Sequence, residues 1–228
     1  MKRGIVLASG GMDSLVTTAI AKSENDEIYL LHINYGQRTQ DRELLAFKAI
    51  SDYYIPKDIL ILDLAYFTQI GGNSLTDRTI EIPTNQLSDQ EVPNTYVPFR
   101  NGNLVSIAAS WAEVINAQSI YIGAVEVDGS GYPDCRKVFY EQLEKAINLG
   151  TKEETNIQIK TPLIDKTKSE IIQLGKSLYV PFELSWSCYQ SSVKACGVCD
   201  SCLLRINAFK RAGLIDPIPY AVEIGWTD

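Results

Sequence analysis

Four short apolar runs punctuate the first 125 residues: Ile5 to Ala8, Ile28 to Ile33, Ile59 to Leu64 and Ile120 to Val125. Each is short and rich in Ile, Leu or Val, so each reads as a buried strand. Between them the pattern changes to a helical period. Leu15 to Ala21 reads as the first turns of a helix. Arg42 to Tyr54 sets Leu44, Leu45, Phe47 and Ile50 against a polar face, and Leu104 to Ile115 is Ala-rich and apolar enough to be largely buried. Alternation of this kind predicts an α/β fold, a parallel sheet with helices on both faces. Ligands of such sheets sit beyond the carboxyl ends of the strands. Gly71 to Asn101 breaks the pattern with Gly71-Gly72, Pro83, Pro93, Pro98 and many small polar residues. An irregular connection of that length predicts a lid or substrate-binding loop. After Gly150 the pattern shortens to an edge strand within Ile157 to Leu163 and a helix Ile171 to Leu178, opened by Thr167-Lys168-Ser169-Glu170. A last helix spans Asp200 to Ala212.

A chain of 228 residues with 45% hydrophobic and 21% charged residues is a soluble globular protein of one or two units. The apolar run after Met1-Lys2-Arg3 breaks at Ser9-Gly10-Gly11, too early for the apolar core of a signal peptide. No stretch approaches the ~18 apolar residues of a membrane span. A cytoplasmic location without membrane contact is expected. The formal net charge is −7, and no basic cluster is visible, which argues against a direct grip on nucleic acid and for a small-molecule substrate.

The first strand runs directly into Ser9-Gly10-Gly11-Met12-Asp13-Ser14. The glycines let the backbone turn sharply and expose its amides. The following helix start adds unpaired N–H groups and a favourable dipole, so the segment is an anion site. A Walker loop would need Lys at the helix start, and a dinucleotide fingerprint would need a third Gly; neither is present. S-G-G-x-D-S instead resembles the PP-loop of ATP-pyrophosphatase-type enzymes, which split ATP between the α and β phosphates to adenylate a substrate oxygen. The competing reading is a tight strand-to-helix turn with a capping serine.

Four of the five cysteines crowd into one segment, spaced Cys188-x7-Cys196-x2-Cys199-x2-Cys202. In a reducing compartment this reads as a metal site rather than as disulfides. Four soft thiolates suit one tetrahedral structural zinc ion with no open position, and Gly197 permits the knuckle turn. His32 is the only histidine, so no mixed Cys/His site forms in this segment. The rival is an iron–sulfur cluster, since Cys196, Cys199 and Cys202 match the start of a ferredoxin run; its fourth position and following Pro are absent.

Beside Ser9 to Ser14, the chain carries Tyr35-Gly36-Gln37-Arg38, Tyr96-Val97-Pro98-Phe99-Arg100-Asn101, Ser130-Gly131-Tyr132-Pro133-Asp134-Cys135-Arg136, Thr161-Pro162-Leu163 and Lys168-Ser169-Glu170-Ile171. Together with the cysteines, these resemble the 7-cyano-7-deazaguanine synthase family, the nitrile-forming enzymes of queuosine and archaeosine precursor synthesis. The resemblance implies a Rossmann-like sheet of the adenine nucleotide alpha hydrolase type. It implies a PP-loop domain over 1–180 and a small zinc-binding helical subdomain over 181–228. It also implies ATP, Mg²⁺, 7-carboxy-7-deazaguanine and ammonia as ligands, and a homodimer. A PP-loop tRNA thiolase, or an adenylating ligase for a different substrate, is the alternative.

The resemblance places ATP against Ala8, Ser9, Gly10, Gly11, Met12, Asp13, Ser14, Leu15, Val16, Thr17 and Thr18. Asp13 either holds Mg²⁺ and orients the loop or simply caps the helix. Lys168 either neutralises phosphate charge or is a solvated helix-start lysine. Arg100 and Arg136 are candidates for the substrate carboxylate or the phosphates. Glu126, Asp128 and Asp134 are candidates to accept the adjacent N–H donors of a guanine-like ring, against the alternative of surface carboxylates. Tyr132 either stacks on the base or packs. Cys135 reads as pocket wall, although Arg136 beside it has the charge to lower its pKa. The chain departs from the family pattern at Met12, Thr39, Phe99 and Gly129. The last two flank the substrate segment and bear on substrate choice.

Overall fold

The computed structural model describes residues 1–84, 92–127 and 131–226. Strand β1 (Arg3–Leu7) is apolar on both faces because it becomes the middle of the sheet. Ile5 and Leu7 point to one face and Val6 and Ala8 to the other, all buried. Helix α1 (Met12–Glu24) follows, then β2 (Glu27–Asn34), α2 (Gln40–Tyr54), β3 (Asp58–Asp63) and the short α3 (Tyr66–Ile70). The second half runs α4 (Arg100–Ile115), β4 (Ser119–Ile122), α5 (Lys137–Gly150), β5 (Gln158–Lys160), α6 (Lys168–Ser177) and α7 (Asp200–Arg211). All five strands are parallel, in the order β3-β2-β1-β4-β5. The direction of winding therefore reverses between β1 and β4, where sheets of this class open a crevice for ligands.

Each face of the sheet has its own core. Ile5, Leu31, Ile120 and Ile122 pack on the Ala-rich face of α4 and on Phe139, Leu143 and Ile147 of α5. On the other face Val6, Leu30 and Tyr121 meet Phe47 of α2 and Ala21 of α1. Full burial of a side chain such as Ile5 or Leu30 contributes about 1.5–3 kcal/mol. A third cluster joins Leu15 and Val16 of α1 to Ile171, Ile172 and Phe209. The cysteine segment packs into the same body, with Trp186, Cys188, Cys199 and Cys202 sharing an apolar cluster with Tyr35, Ala46, Phe67 and Leu75.

Several boundaries differ from the sequence expectation, each for a tertiary reason. The fourth strand stops at Ile122 rather than Val125, because the chain must leave the sheet where α1 starts. A Cβ on Gly123 would lie 2.9 Å from the Asp13 carbonyl carbon. Helix α4 begins at Arg100, ahead of the apolar run, because Asp134 Oδ2 accepts the Asn101 amide at 2.8 Å. The described part of the long loop is irregular, and Arg38 ties it down by donating to the Ser74, Asp77 and Ile80 carbonyls. Helix α5 carries apolar residues at Phe139, Leu143 and Ile147, a four-residue spacing that the strand-and-motif reading passed over. Thr167 opens α6 as expected: its hydroxyl accepts the Glu170 amide while Glu170 Oε2 accepts the Thr167 amide. Such a capping box contributes about 1 kcal/mol and sets Lys168 as the first residue of the helix.

Candidate active site

The carboxyl end of β1 becomes a sharp turn. Gly10 has φ +87°, a left-handed conformation, and a Cβ there would meet the Glu43 carbonyl oxygen at 2.5 Å. Both facts require glycine. Ser9 Oγ accepts the Gly11 amide at 3.2 Å, and Ser14 Oγ donates to the Gly11 carbonyl at 2.9 Å. No side chain caps α1, so its leading amides are open to an anion.

Lys168 crosses from α6 to this turn, with its Nζ 2.6 Å from Asp13 Oδ2. The other oxygen, Asp13 Oδ1, is buried and has no hydrogen-bond partner. An ionised acceptor in that state suits a cation, so the residues fit a phosphate-bound Mg²⁺. A cavity of about 260 Å³ opens over the turn, at the β1–β4 crevice. Ala8, Ser9, Gly11, Met12, Asp13 and Ser14 line it, with Lys168, Arg100 and Tyr132. Gly10 shapes the turn, while Leu15, Val16, Thr17 and Thr18 are buried in α1 behind it. Thr17 and Thr18 donate to the Asp13 and Ser14 carbonyls.

At the far end Arg100 Nη1 donates to Tyr35 Oη at 2.8 Å, and its guanidinium lies 5.1 Å from the Tyr35 ring centroid and 6.0 Å from that of Tyr132. Burial works against the Arg100 charge, while the Tyr35 oxygen that accepts its hydrogen bond, the Tyr35 and Tyr132 ring faces and the Asp134 carboxylate favour it, so the guanidinium stays charged. Burial pushes the Tyr35 phenol up to about 12 and Tyr189 well above its ordinary value, so both stay protonated. Phe99 precedes Arg100 with φ +54°, a left-handed position that favours glycine. Its ring packs edge-on against Phe139 and lies where a Cβ of Gly102 would be.

The remaining sequence candidates lie elsewhere. Asp134 is buried and uses its carboxylate on Asn101, at the start of α4; burial raises its pKa. Glu126 Oε2 accepts the Lys137 amide at 2.8 Å, at the start of α5. Arg136 is exposed and donates to the Pro133 carbonyl at 3.0 Å, away from the cavity lining. Asp128 and Gly129 fall outside the described residues. Cys135 does line the cavity. Its thiol is pushed up to about 11, chiefly by burial, in keeping with a pocket wall, and Arg136 is not among the groups that lower it.

Sequence reasoning assigned no role to Glu43, Asn101, Trp186, Ser187, Tyr189 and Arg205, all of which line the cavity. Trp186 to Tyr189 flank the first cysteine, and that adjacency was the available signal. The Trp186 amide donates to the Gly10 carbonyl at 2.8 Å, which seats the segment against the turn. Arg205 is fully buried and forks onto Asp216 at 2.6 and 2.9 Å, while its Nη1 donates to Ser185 and Ser187.

The four sulfurs of Cys188, Cys196, Cys199 and Cys202 all lie within 4.8 Å of one another. Metal–sulfur bonds of about 2.3 Å at tetrahedral angles set sulfurs about 3.8 Å apart. Cys196 Sγ and Cys202 Sγ are 3.9 Å apart. The Cys196 amide donates to Cys188 Sγ, and the Val198 and Cys199 amides to Cys196 Sγ, around Gly197 at φ +78°. The donor set fits one structural metal ion. His32 is buried elsewhere, between the Ala8 carbonyl and Asn34.

The sequence profile of the queuosine biosynthesis protein QueC matches residues 3–213. The chain belongs to the QueC family. Among its relatives is a 7-cyano-7-deazaguanine synthase of Chlorobium phaeobacteroides, 57% identical over 96% of each chain. A 7-cyano-7-deazaguanine synthase of Chlorobium chlorochromatii is 51% identical over 99% of each. In fold, this QueC-family chain is similar to a solved 4-thiouridine synthetase–RNA complex with bound ATP. That match covers 84% of this chain and 44% of the other at a TM-score of 0.51 and 18% identity, a likeness of fold alone. No helix among the described residues is long and apolar enough to cross a membrane.

Proposed function

We propose that the chain is an ATP-dependent 7-cyano-7-deazaguanine synthase, making the nitrile from 7-carboxy-7-deazaguanine and ammonia. The observation that carries this is the near-full-length identity to such synthases, above 50%, in a chain whose PP-loop turn, Lys168 and Arg100 line one cavity. A carboxylate is a poor electrophile, because attack must expel oxide. Transfer of its oxygen to the α-phosphate of ATP releases pyrophosphate and makes that oxygen part of a good leaving group, AMP. Ammonia then displaces AMP to give the amide. A second adenylation, now of the amide oxygen, allows loss of AMP and a proton to leave the nitrile. One site serves both rounds.

In this reading Ser9, Gly11, Ser14 and the α1 amides hold the pyrophosphate, while Lys168 offsets charge that develops on the phosphates. Asp13 orients Lys168, and its unpartnered Oδ1 would help hold a Mg²⁺ ion, which would supply charge neutralisation at the phosphates. Arg100 takes the substrate carboxylate or the α-phosphate. Residues 181–228 form the subdomain whose cysteines hold zinc. Sulfur spacing below 4.8 Å supports a single ion over a larger cluster. Cys188, one of the four residues that would hold the ion, stands between Ser187 and Tyr189 and would anchor both beside the cavity. The reading extends to a cytoplasmic homodimer; the net charge of −7 supports the absence of direct nucleic-acid binding. Mass spectrometry of the zinc-loaded protein with 7-carboxy-7-deazaguanine, ammonium, Mg²⁺ and ATP tests it. The nitrile mass with AMP released is the expected result; no conversion with ATP bound refutes the assignment.

A further inference from the structure

Two carboxylates line the cavity among the described residues, Asp13 and Glu43. Asp13 is held by Lys168 at 2.6 Å. Glu43 stands in the first turn of α2, and each oxygen takes one neutral donor: Thr39 Oγ1 at 2.8 Å and Gln37 Nε2 at 3.1 Å. A carboxylate offers about four acceptor positions, so each oxygen keeps one. The same Thr39 hydroxyl lies 3.1 Å from the Cys188 carbonyl and shares its single proton between that oxygen and Glu43, which ties this corner to the cysteine segment beside Tyr189.

Glu43 belongs to the aromatic end of the cavity. Gln37 joins Glu43 to Tyr35, accepting the Tyr35 amide at 2.9 Å and donating to Glu43 at 3.1 Å. Burial raises the Glu43 pKa, while the Thr39 and Gln37 hydrogen bonds and the Arg100 charge lower it. Tyr35, Tyr132 and Tyr189 cluster around Arg100, a bed for a flat heteroaromatic ring. A guanine-type ring presents an N–H and an exocyclic amine side by side, two parallel donors that match the two oxygens of a carboxylate. Glu126 and Asp134 use their oxygens on helix starts.

We propose that Glu43 is the carboxylate that reads the ring N–H and 2-amino donors of the deazaguanine, making it a specificity-determining residue. The inference rests on the synthase reading above. Steady-state kinetics on the zinc-loaded chain would compare 7-carboxy-7-deazaguanine with its analogue lacking the 2-amino group, in the native chain and in Glu43→Gln, with KM for ATP measured alongside. The native chain prefers the amino substrate by about 10- to 100-fold in kcat/KM, the range for a hydrogen bond to a charged group. Glu43→Gln, of nearly equal volume, reduces that preference to within about threefold and leaves KM for ATP unchanged. Preference retained in the variant, or a KM rise confined to ATP, overturns the assignment. Should the variant not fold, equal conversion of both substrates by the native chain overturns it, and a strong preference for the amino substrate supports it. A native chain that converts neither refutes the synthase reading itself, a distinct outcome.

Discussion

Replacing Lys168 by Met removes the cation from the 2.6 Å pair with Asp13, whose side chain is 26% exposed against 12% for the lysine. Asp13 Oδ1 already lacks a partner, so the variant leaves both carboxylate oxygens without a cation in a recess beside the turn. Breaking a fully buried pair costs about 3–5 kcal/mol. Solvent at the cavity mouth screens this one, which brings the stability loss to about 1–2 kcal/mol. For a chain of this size that lowers Tm by about 3–6 °C. The catalytic loss is larger if Lys168 faces developing phosphate charge, because removal of one fixed donor lowers kcat by about 10²–10³-fold. Calorimetry and AMP release, read on Lys168→Met, Asp13→Asn and the double variant, separate the two effects. The double variant regains most of the stability, since no orphan charge remains, and none of the rate. A kcat within about fivefold of the native value in Lys168→Met, with Tm lowered as expected, refutes the electrostatic role.

Gly123→Ala sets a Cβ 2.9 Å from the Asp13 carbonyl carbon and pushes the start of α1 away. Overpacking of that kind costs about 1–3 kcal/mol, and KM for ATP rises at least about tenfold; unchanged ATP kinetics would show that the α1 amides do not hold phosphate. Burial favours the neutral Cys135 thiol, raised to about 11 from an ordinary 9.0, so the folded chain binds that proton more tightly than the unfolded one. Its contribution to stability is therefore present below pH 9 and is lost as pH rises toward 11. Iodoacetamide labelling of Cys135 stays slow at neutral pH, and Cys135→Ala keeps kcat within about threefold; rapid labelling at pH 7 contradicts this. Cys199→Ser removes one sulfur of the four-cysteine set, so bound zinc measured by atomic absorption falls and Tm falls with it; full zinc content contradicts the assigned ligand set.

The parallel sheet and the phosphate turn were legible because both are local. Gly4 to Ala8 is apolar on both faces, and the left-handed turn after it falls on Gly10, where only glycine fits. The four cysteines were legible because ligand spacing is local too. What sequence did not show is long-range: that Asp134 caps α4, that Glu126 starts α5, and that Glu43 faces the cavity. A carboxylate beside a substrate motif looks the same whether it serves a helix amide or a ligand. Only tertiary packing separates the two: it turns Asp134 to the start of α4 and Glu43 of α2 to the cavity. The buried fork between Arg205 and Asp216 was invisible for the same reason.

The central claim is that the substrate oxygens leave as part of AMP, one in each round. The direct measurement uses 7-carboxy-7-deazaguanine with both carboxylate oxygens replaced by oxygen-18, followed by mass spectrometry of every product. Each nitrile formed should be matched by two AMP molecules, each carrying one oxygen-18, with pyrophosphate unlabelled. Unlabelled AMP, or label in pyrophosphate or inorganic phosphate, would contradict adenylation as the activating step.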